Sequence, residues 1–162
     1  TEAADVIAVL GELSPRGVVV TLGEPAEGLA GWRFSHLQAK AALAVAERRG
    51  ETVARYADVA IEAAALRDDL LDRSLRQLYL EPLERTRDGG KVARETLRAY
   101  FKAERNISST AAALGVDRRT VRNRIRAIEE LIGRPLNVIA ADLEIALRSD
   151  PPRGGVARQA ID

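Results

Sequence analysis

An arginine-rich segment near residue 120 is the feature that most limits how this chain can fold. Five arginines occupy the nine residues from 118 to 126. Four β-branched residues run through the same region at intervals of four, three and four, the spacing of one face of an α-helix. They are Val121, Ile125, Ile128 and Ile132. The segment is therefore predicted to be a helix with one apolar side and a strongly cationic remainder.

A helical wheel separates the two kinds of side chain. At about 100° per residue, the four β-branched residues fall within about 40° of Val121. Arg119, Asn123 and Arg126 fall close to the opposite side. One side can thus pack against the protein while the other presents cations and an amide. Between the two sides lie Arg118, Thr120, Arg122 and Arg124.

The residues before this helix have the spacing of a helix-turn-helix, in which two helices meet near a right angle across a short turn that often contains glycine. Residues 111–114 are predicted to be helical, and Gly115 can adopt a positive φ without strain. Asp117 can accept hydrogen bonds from the free N–H groups of the second helix. The residues expected to keep the two helices in register are Ala111, Gly115, Val116, Val121 and Ile125.

The polar side of the second helix suits double-stranded DNA. A helix fits the major groove, where arginine can bond guanine edges and asparagine adenine edges. Residues at the margins of such a helix are placed for the phosphates. The base-reading residues are predicted to be Arg119, Arg122, Asn123 and Arg126, and the phosphate contacts Arg118, Thr120 and Arg124.

A solvated charged face is the plainer interpretation of the same helix. Glu129 and Glu130 could neutralise arginines, but both lie toward its C-terminal end, and Asp117 is the single acidic residue near its first two turns. Because like charges three or four residues apart repel, a purely structural helix would gain nothing from this set. The pattern favours a nucleic-acid surface.

Charge distribution supports an anionic partner for this region alone. The net charge of the chain is +1, yet ten basic and five acidic residues lie between Arg94 and Arg134, a local excess of +5. The chain has no cysteine and one histidine, His36, which we expect at the surface of a helix. No catalytic constellation, metal site or cofactor site is recognisable, so no enzyme activity and no cofactor are expected.

The N-terminal part is predicted to be a strand–helix–strand unit. Residues 17–22 form a β-branched run of strand length, residues 32–49 a helix that Gly50 ends, and residues 52–56 a second strand. A further short helix is predicted over residues 6–13. Two strands cannot bury a sheet by themselves. The unit is therefore interpreted as the remainder of a larger α/β domain, in a chain that we expect to be the back part of a longer protein.

Helices are predicted to follow from Asp58 onward. Asp68 and Asp69 separate one helix from a leucine-rich helix over 70–83, whose Leu75, Leu78 and Leu83 are expected in the core. The two glycines of "RDGG", residues 87–90, are predicted to end that helix, loosen the chain and mark a domain boundary. Another helix contains residues 93–101, and Ser108 or Ser109 is expected to cap the next. Residues 150–162 have the composition of a flexible tail.

The stretch "TLRAYFKAERNISSTAAALGVDRRTVRNRIRAIEELIGRPL", residues 96–136, resembles the C-terminal helix-turn-helix domain of the PucR/CdaR family of bacterial transcription regulators. Its central part is also similar to the DNA-binding end of the nucleoid protein Fis. Arg118, Thr120, Arg122 and Arg124 match the pattern of the family's recognition helix. Asp117, Arg119 and Asn123 depart from it, which bears on the DNA sequence that would be read rather than on the fold.

Upstream, "GEPAEGLAGWRFSHLQAKAAL" and "VARYADVAI" resemble the end of the GGDEF-like domain that precedes this helix-turn-helix in CdaR-type regulators. The expected fold is mainly α, with a C-terminal Fis-like helix-turn-helix bundle after a partial α/β segment. Residues 1–87 are assigned to the end of the GGDEF-like domain and its connecting helices, residues 88–149 to the DNA-binding domain and residues 150–162 to the tail.

Together these features predict a sequence-specific DNA-binding transcription regulator. It would bind an operator as a homodimer or higher homo-oligomer, without a membrane, in the bacterial cytoplasm. The alternative is a protein–protein interaction module, in which the leucine-rich helix forms a dimer interface and the arginines bind an acidic protein. A steep, log-linear loss of affinity with salt would distinguish DNA from a protein partner.

Overall fold

The computed structural model describes Val9 and residues 18–150. Apart from Val9, the helix predicted over residues 6–13 lies outside the described residues, as does all but the first residue of the predicted tail. Two compact units divide between Asp68 and Asp69. Among the described residues, the first comprises those up to 68 together with Ser149 and Asp150, and the second comprises residues 69–148.

The first unit contains the predicted strand–helix–strand arrangement. Its two strands are parallel, with Val20 opposite Val53. Both are shorter than predicted, and the helix between them begins four residues earlier and ends at the predicted glycine, Gly50, whose φ is 70°. The elements are β1 (Val20–Leu22), α1 (Gly28–Arg49), β2 (Val53–Arg55) and α2 (Tyr56–Arg67).

Small side chains determine which side of α1 is buried. Ala42 and Val45 pack with Val59 and Ala63 of α2 to form the core of this unit. Phe34 and Leu37 lie away from this core, and their side chains are 60% and 59% exposed. Alanine and valine let α1 approach α2 closely, so the helix turns these residues inward and the larger ones outward. Gln38 and Ala46 are buried as well.

The second unit is entirely helical, which confirms a mainly α chain with a helix-turn-helix at its C-terminal end. A single irregularity, a π-helical segment, lies within the leucine-rich helix. The elements are α3 (Asp69–Leu75), the π-helical segment (Arg76–Leu80), α4 (Glu81–Glu84), α5 (Lys91–Lys102), α6 (Ile107–Leu114), α7 (Arg118–Ile132) and α8 (Leu136–Ser149).

The leucine-rich helix contributes to the core of this second unit. Leu75 and Leu83 are buried as predicted, in one cluster with Leu97 of α5 and Ile128 of α7. Leu78 was expected there too, but it is 57% exposed. A π-helix takes more residues per turn than an α-helix, so Leu78 does not return to the side that Leu75 occupies. Tyr79 and Leu80 fill that side instead.

The turn between α4 and α5 is a hydrogen-bonded corner. The Thr86 hydroxyl donates to the Leu83 carbonyl at 2.8 Å and accepts from the Gly90 N–H at 2.9 Å. Arg94, which is 5% exposed, donates to the Gly89 carbonyl at 2.9 Å. The prediction that the two glycines end the preceding helix was wrong, because α4 already ends at Glu84 and Gly90 stands at the N-cap of α5. The expectation of a loosened chain here was wrong too, because these bonds tie the turn to both helices.

The division into compact units falls at a different place from the predicted domain boundary. Residues 69–84 pack with the C-terminal helices, whereas the sequence grouped them with residues 1–68. The reason is the shared core of the leucine-rich helix and α7, which sequence spacing alone does not reveal. The assignment of functions to the two parts of the chain stays a prediction.

Candidate nucleic-acid interface

Helix α6 begins at an asparagine. The Asn106 side chain accepts hydrogen bonds from the backbone N–H groups of Ser108 and Ser109 at 2.9 and 3.0 Å. The prediction that one of these serines caps the helix was therefore wrong. Since α6 starts at Ile107, Asn106 is the residue that stands at the N-cap position, and both serines already belong to the first turn.

The turn between α6 and α7 has the predicted form. Gly115 adopts the left-handed conformation, with φ of 64°. Asp117 caps α7, because its carboxylate accepts from the Thr120 N–H at 2.8 Å and from the Thr120 hydroxyl at 2.7 Å. These hydrogen bonds, the hydroxyl one first, lower the pKa of the Asp117 carboxyl below its usual value. A charged cap at the N-terminus also suits the helix dipole.

The apolar side of α7 faces the core of its unit. Val121 is fully buried and Ile128 is 2% exposed, and Ile125 and Ile132 pack against the same cluster. Ala111 of α6 is 5% exposed, as expected where two helices meet. Val116 is partly buried in the turn.

The opposite side of α7 presents its polar side chains to solvent. Within the described part of the chain, no hydrogen bond or ion pair is made by the side chains of these exposed residues. The arrangement leaves four guanidinium groups and one amide on one helix available to a ligand. The residues are Arg118, Arg119, Arg122, Asn123 and Arg126.

Two of the predicted phosphate contacts, Arg124 and Thr120, are partly buried and hydrogen-bonded, unlike the exposed residues of α7. The Arg124 side chain is partly buried, and its Nη1 donates to the Thr96 hydroxyl on α5 at 3.4 Å. Thr120 is also partly buried, and its hydroxyl hydrogen is committed to Asp117. A phosphate contact by the Thr120 hydroxyl as donor would require that hydrogen bond to break.

The carboxylates nearest the end of α7 do not neutralise its arginines. The Glu129 side chain accepts from the Leu136 N–H at 2.8 Å and so holds the first residue of α8. No ion pair joins Glu129 or Glu130 to an arginine among the residues that the structure describes. The plainer interpretation, in which the glutamates balance the positive charge, therefore lacks its contacts.

A polar cluster around the buried Tyr79 was not predicted from the sequence. Tyr79, which is 3% exposed, donates from its hydroxyl to Asp142 of α8 at 3.0 Å and accepts from Arg134 at 3.4 Å. Burial, followed by the adjacent Asp142, raises the pKa of the Tyr79 hydroxyl. A tyrosine among leucines does signal a buried hydroxyl that needs a partner. It does not reveal that the partner lies 63 residues further on.

Comparison with protein families finds a match for the C-terminal helices. Residues 93–149, from α5 to the end of α8, match the family model of the PucR C-terminal helix-turn-helix domain. The chain therefore carries a PucR-type helix-turn-helix, a domain of DNA-binding transcription regulators at the family level. Comparison with curated proteins finds no match.

The family match does not reach the strand–helix–strand unit. The resemblance of that unit to a GGDEF-like domain, and the similarity of α6 and α7 to Fis, therefore stay predictions. Among the described helices, none is both long and apolar enough to cross a membrane.

Proposed function

We propose that this protein is a sequence-specific transcription regulator that places α7 in the major groove of DNA. The observation that carries the proposal is the row of exposed side chains on α7, which have no partner within the described residues although they bear four positive charges. The PucR-type domain at residues 93–149 supports it independently.

The order of side chains around α7 fits a groove with a phosphate backbone on each side. Arg119, Asn123 and Arg126 lie opposite the buried Val121 and would point at base edges. Arg118 and Arg122 lie toward one margin of that face, and Thr120 and Arg124 toward the other. A helix seated in a groove presents its two margins to the two strands.

Each residue then has a separate role. Arg119, Arg122, Asn123 and Arg126 would read bases, while Arg118 and Arg124 would contact phosphates. Thr120 would join them only if its hydroxyl exchanged Asp117 for a phosphate oxygen. In a helix-turn-helix the N-terminal residues of the second helix make the base contacts. We therefore expect Arg119, in the first turn of α7, to contribute more to sequence preference than Arg126, two turns later.

One module of this size contacts few base pairs, so we propose that the protein binds as a homodimer or higher homo-oligomer. The half-sites would lie about one helical turn of DNA apart. Residues 1–87 would serve assembly or relay a signal, as the end of a GGDEF-like domain would. Such a regulator would act in the bacterial cytoplasm.

Selection of bound sequences from a random DNA library, repeated at two salt concentrations, tests the function directly. Enrichment of a palindromic or repeated motif is expected, together with an affinity that falls log-linearly with salt at about 0.9 per neutralised phosphate. Binding without any enriched motif would show that the protein binds DNA without sequence preference. The absence of salt-dependent binding would refute the proposal.

An interaction module is the second candidate, and the exposed leucines of the leucine-rich helix favour it. Leu70 is 77% exposed and Leu78 is 57% exposed, although neighbouring leucines of that helix are buried. Such side chains could form an interface between two copies. Replacing Leu78 by serine would then shift the protein from dimer to monomer, which sedimentation analysis would detect. The two candidates are compatible if the interface joins the DNA-binding copies.

A further inference from the structure

We propose that Thr96 of α5 is a positioning residue that holds the Arg124 guanidinium ready for a DNA phosphate. This inference rests on the proposed DNA-binding function and separates Arg124 from the other four arginines of α7. The two residues lie 28 positions apart in the chain and on different helices.

The Thr96 hydroxyl is placed so that it can accept a hydrogen bond from Arg124. Thr96 is fully buried, and its Oγ1 donates its one hydrogen to the Val92 carbonyl at 2.7 Å. The oxygen is then left as an acceptor, away from water. The Arg124 Nη1 occupies this acceptor side at 3.4 Å. Satisfying a buried polar oxygen favours the guanidinium position that reaches it.

A hydroxyl partner orients the guanidinium and leaves its charge intact. Arg55 shows the contrast in the first unit, because it donates to the carboxylate of Glu24, which cancels its charge. Arg124 has no carboxylate partner among the described residues. Its bond to Thr96 uses one of the five N–H groups of a guanidinium. The full positive charge and the remaining donors stay available to a phosphate.

Because Arg124 is partly buried, its side chain loses less conformational entropy on binding. A long, freely exposed arginine loses rotamer freedom when it contacts a phosphate. Arg124 is already restricted by its position against α5, and a restricted side chain in its bound position binds more tightly. Its location on the Thr120 margin of α7 directs it toward one backbone strand rather than toward the bases.

A double-mutant cycle on DNA binding tests this role. Arg124→Ala should lower the slope of log affinity against log salt by about 1. Thr96→Val keeps the shape of the side chain but removes the hydroxyl, and should weaken binding by about 2- to 10-fold. In the Arg124→Ala background, Thr96→Val should have no further effect. Thr96→Ser restores the hydroxyl and should restore the affinity.

Thr110→Val is the matched control. Thr110 is also fully buried and its hydroxyl donates four residues back, to the Asn106 carbonyl at 2.7 Å, but no arginine donates to it within the described residues. Any effect of this change on binding should be the same with or without Arg124. Thermal melting of every variant shows whether the fold survives.

The outcomes separate this inference from the proposed function. If Thr96→Val weakens binding equally in both backgrounds, Thr96 acts through the fold and the inference is overturned. An unchanged salt slope in Arg124→Ala would overturn it as well, because Arg124 would then not contact a phosphate. If the unaltered protein shows no salt-dependent DNA binding, the proposed function itself fails.

Discussion

Two arginines of the strand–helix–strand unit and the exposed arginines of α7 are used in opposite ways. In the first unit, Arg49 donates to Glu62 and Arg55 to Glu24. On α7, the side chains of Arg119 and Arg122 form no ion pair with a carboxylate in the described part of the chain. Arginines of the first kind hold a fold together through internal pairs. Those of the second kind cost the fold some repulsion, which is understandable if an external anion compensates for it.

The largest effect on the paired side of this comparison is expected from Arg49→Ala. The Glu62 side chain is only 2% exposed, and the change would leave its carboxylate buried without the guanidinium that spans both of its oxygens. Loss of one partner of a buried pair destabilises a protein by about 3 kcal/mol or more. Chemical denaturation measures this loss, while DNA affinity of the folded protein should not change.

The double variant Arg49→Met with Glu62→Leu is the control for that experiment. It removes both charges, so it should recover most of the lost stability. If Arg49→Ala were as stable as the unaltered protein, the pair would contribute little to the free energy of unfolding. The claim that the paired arginines stabilise the fold would then be wrong.

Arg119→Ala tests the unpaired side. We expect a loss of about 1–3 kcal/mol in binding to the specific site, with relaxed preference at one base position. The melting temperature should stay the same or rise slightly, since one repulsive charge is removed. Fluorescence anisotropy with specific and random duplexes measures both affinities. Equal weakening on the two duplexes would contradict the base-reading role of Arg119.

Gly115→Ala should damage the turn that presents these arginines. A Cβ at this position meets no atom within 4 Å, so the effect comes from the left-handed backbone and not from a clash. An L-residue in this conformation costs about 1–2 kcal/mol, and Gly115→Val should cost more because valine is β-branched. Gly115→Asn, which tolerates this conformation better, should cost less. An unchanged unfolding midpoint in the valine variant would contradict this account of the turn.

The smallest effect is expected from acid acting on the cap of α7. Hydrogen bonds from Thr120 lower the folded-state pKa of Asp117, so the unfolded chain binds a proton more readily. The stabilisation is present above the unfolded pKa and is lost as the pH falls through the lower folded value. Asp117→Asn retains a cap that does not titrate, so its melting temperature should fall less in acid. Identical pH profiles would show that this carboxylate does not contribute.

Local chemistry made the helix-turn-helix predictable from sequence. Gly115, Asp117 and the β-branched spacing of α7 each act within a few residues, and the structure confirms all three. The N-cap of α6 was mistaken because asparagine and serine both suit that position. Which of them is the cap depends on the residue at which the helix starts, and α6 starts at Ile107, directly after Asn106.

Contacts between distant residues could not be predicted in the same way. The apolar side of α1 follows from its close approach to α2, and the pairs Arg49–Glu62 and Thr96–Arg124 depend on which helices become neighbours. Hydrophobic spacing gives each helix an apolar side but does not name the helix that it meets. The same reason explains why residues 69–84 pack with the C-terminal helices, although the sequence grouped them with residues 1–68.

The shared core of the leucine-rich helix and α7 determines where the helical unit could be cut for fusion to another protein. A fragment cut at residue 88 would leave Leu97 and Ile128 without the leucines that cover them. A fragment that starts at Asp69 would retain the leucines that complete this core. A rotation applied at that point by a fused partner would act on the leucine-rich helix, which shares its core with α7.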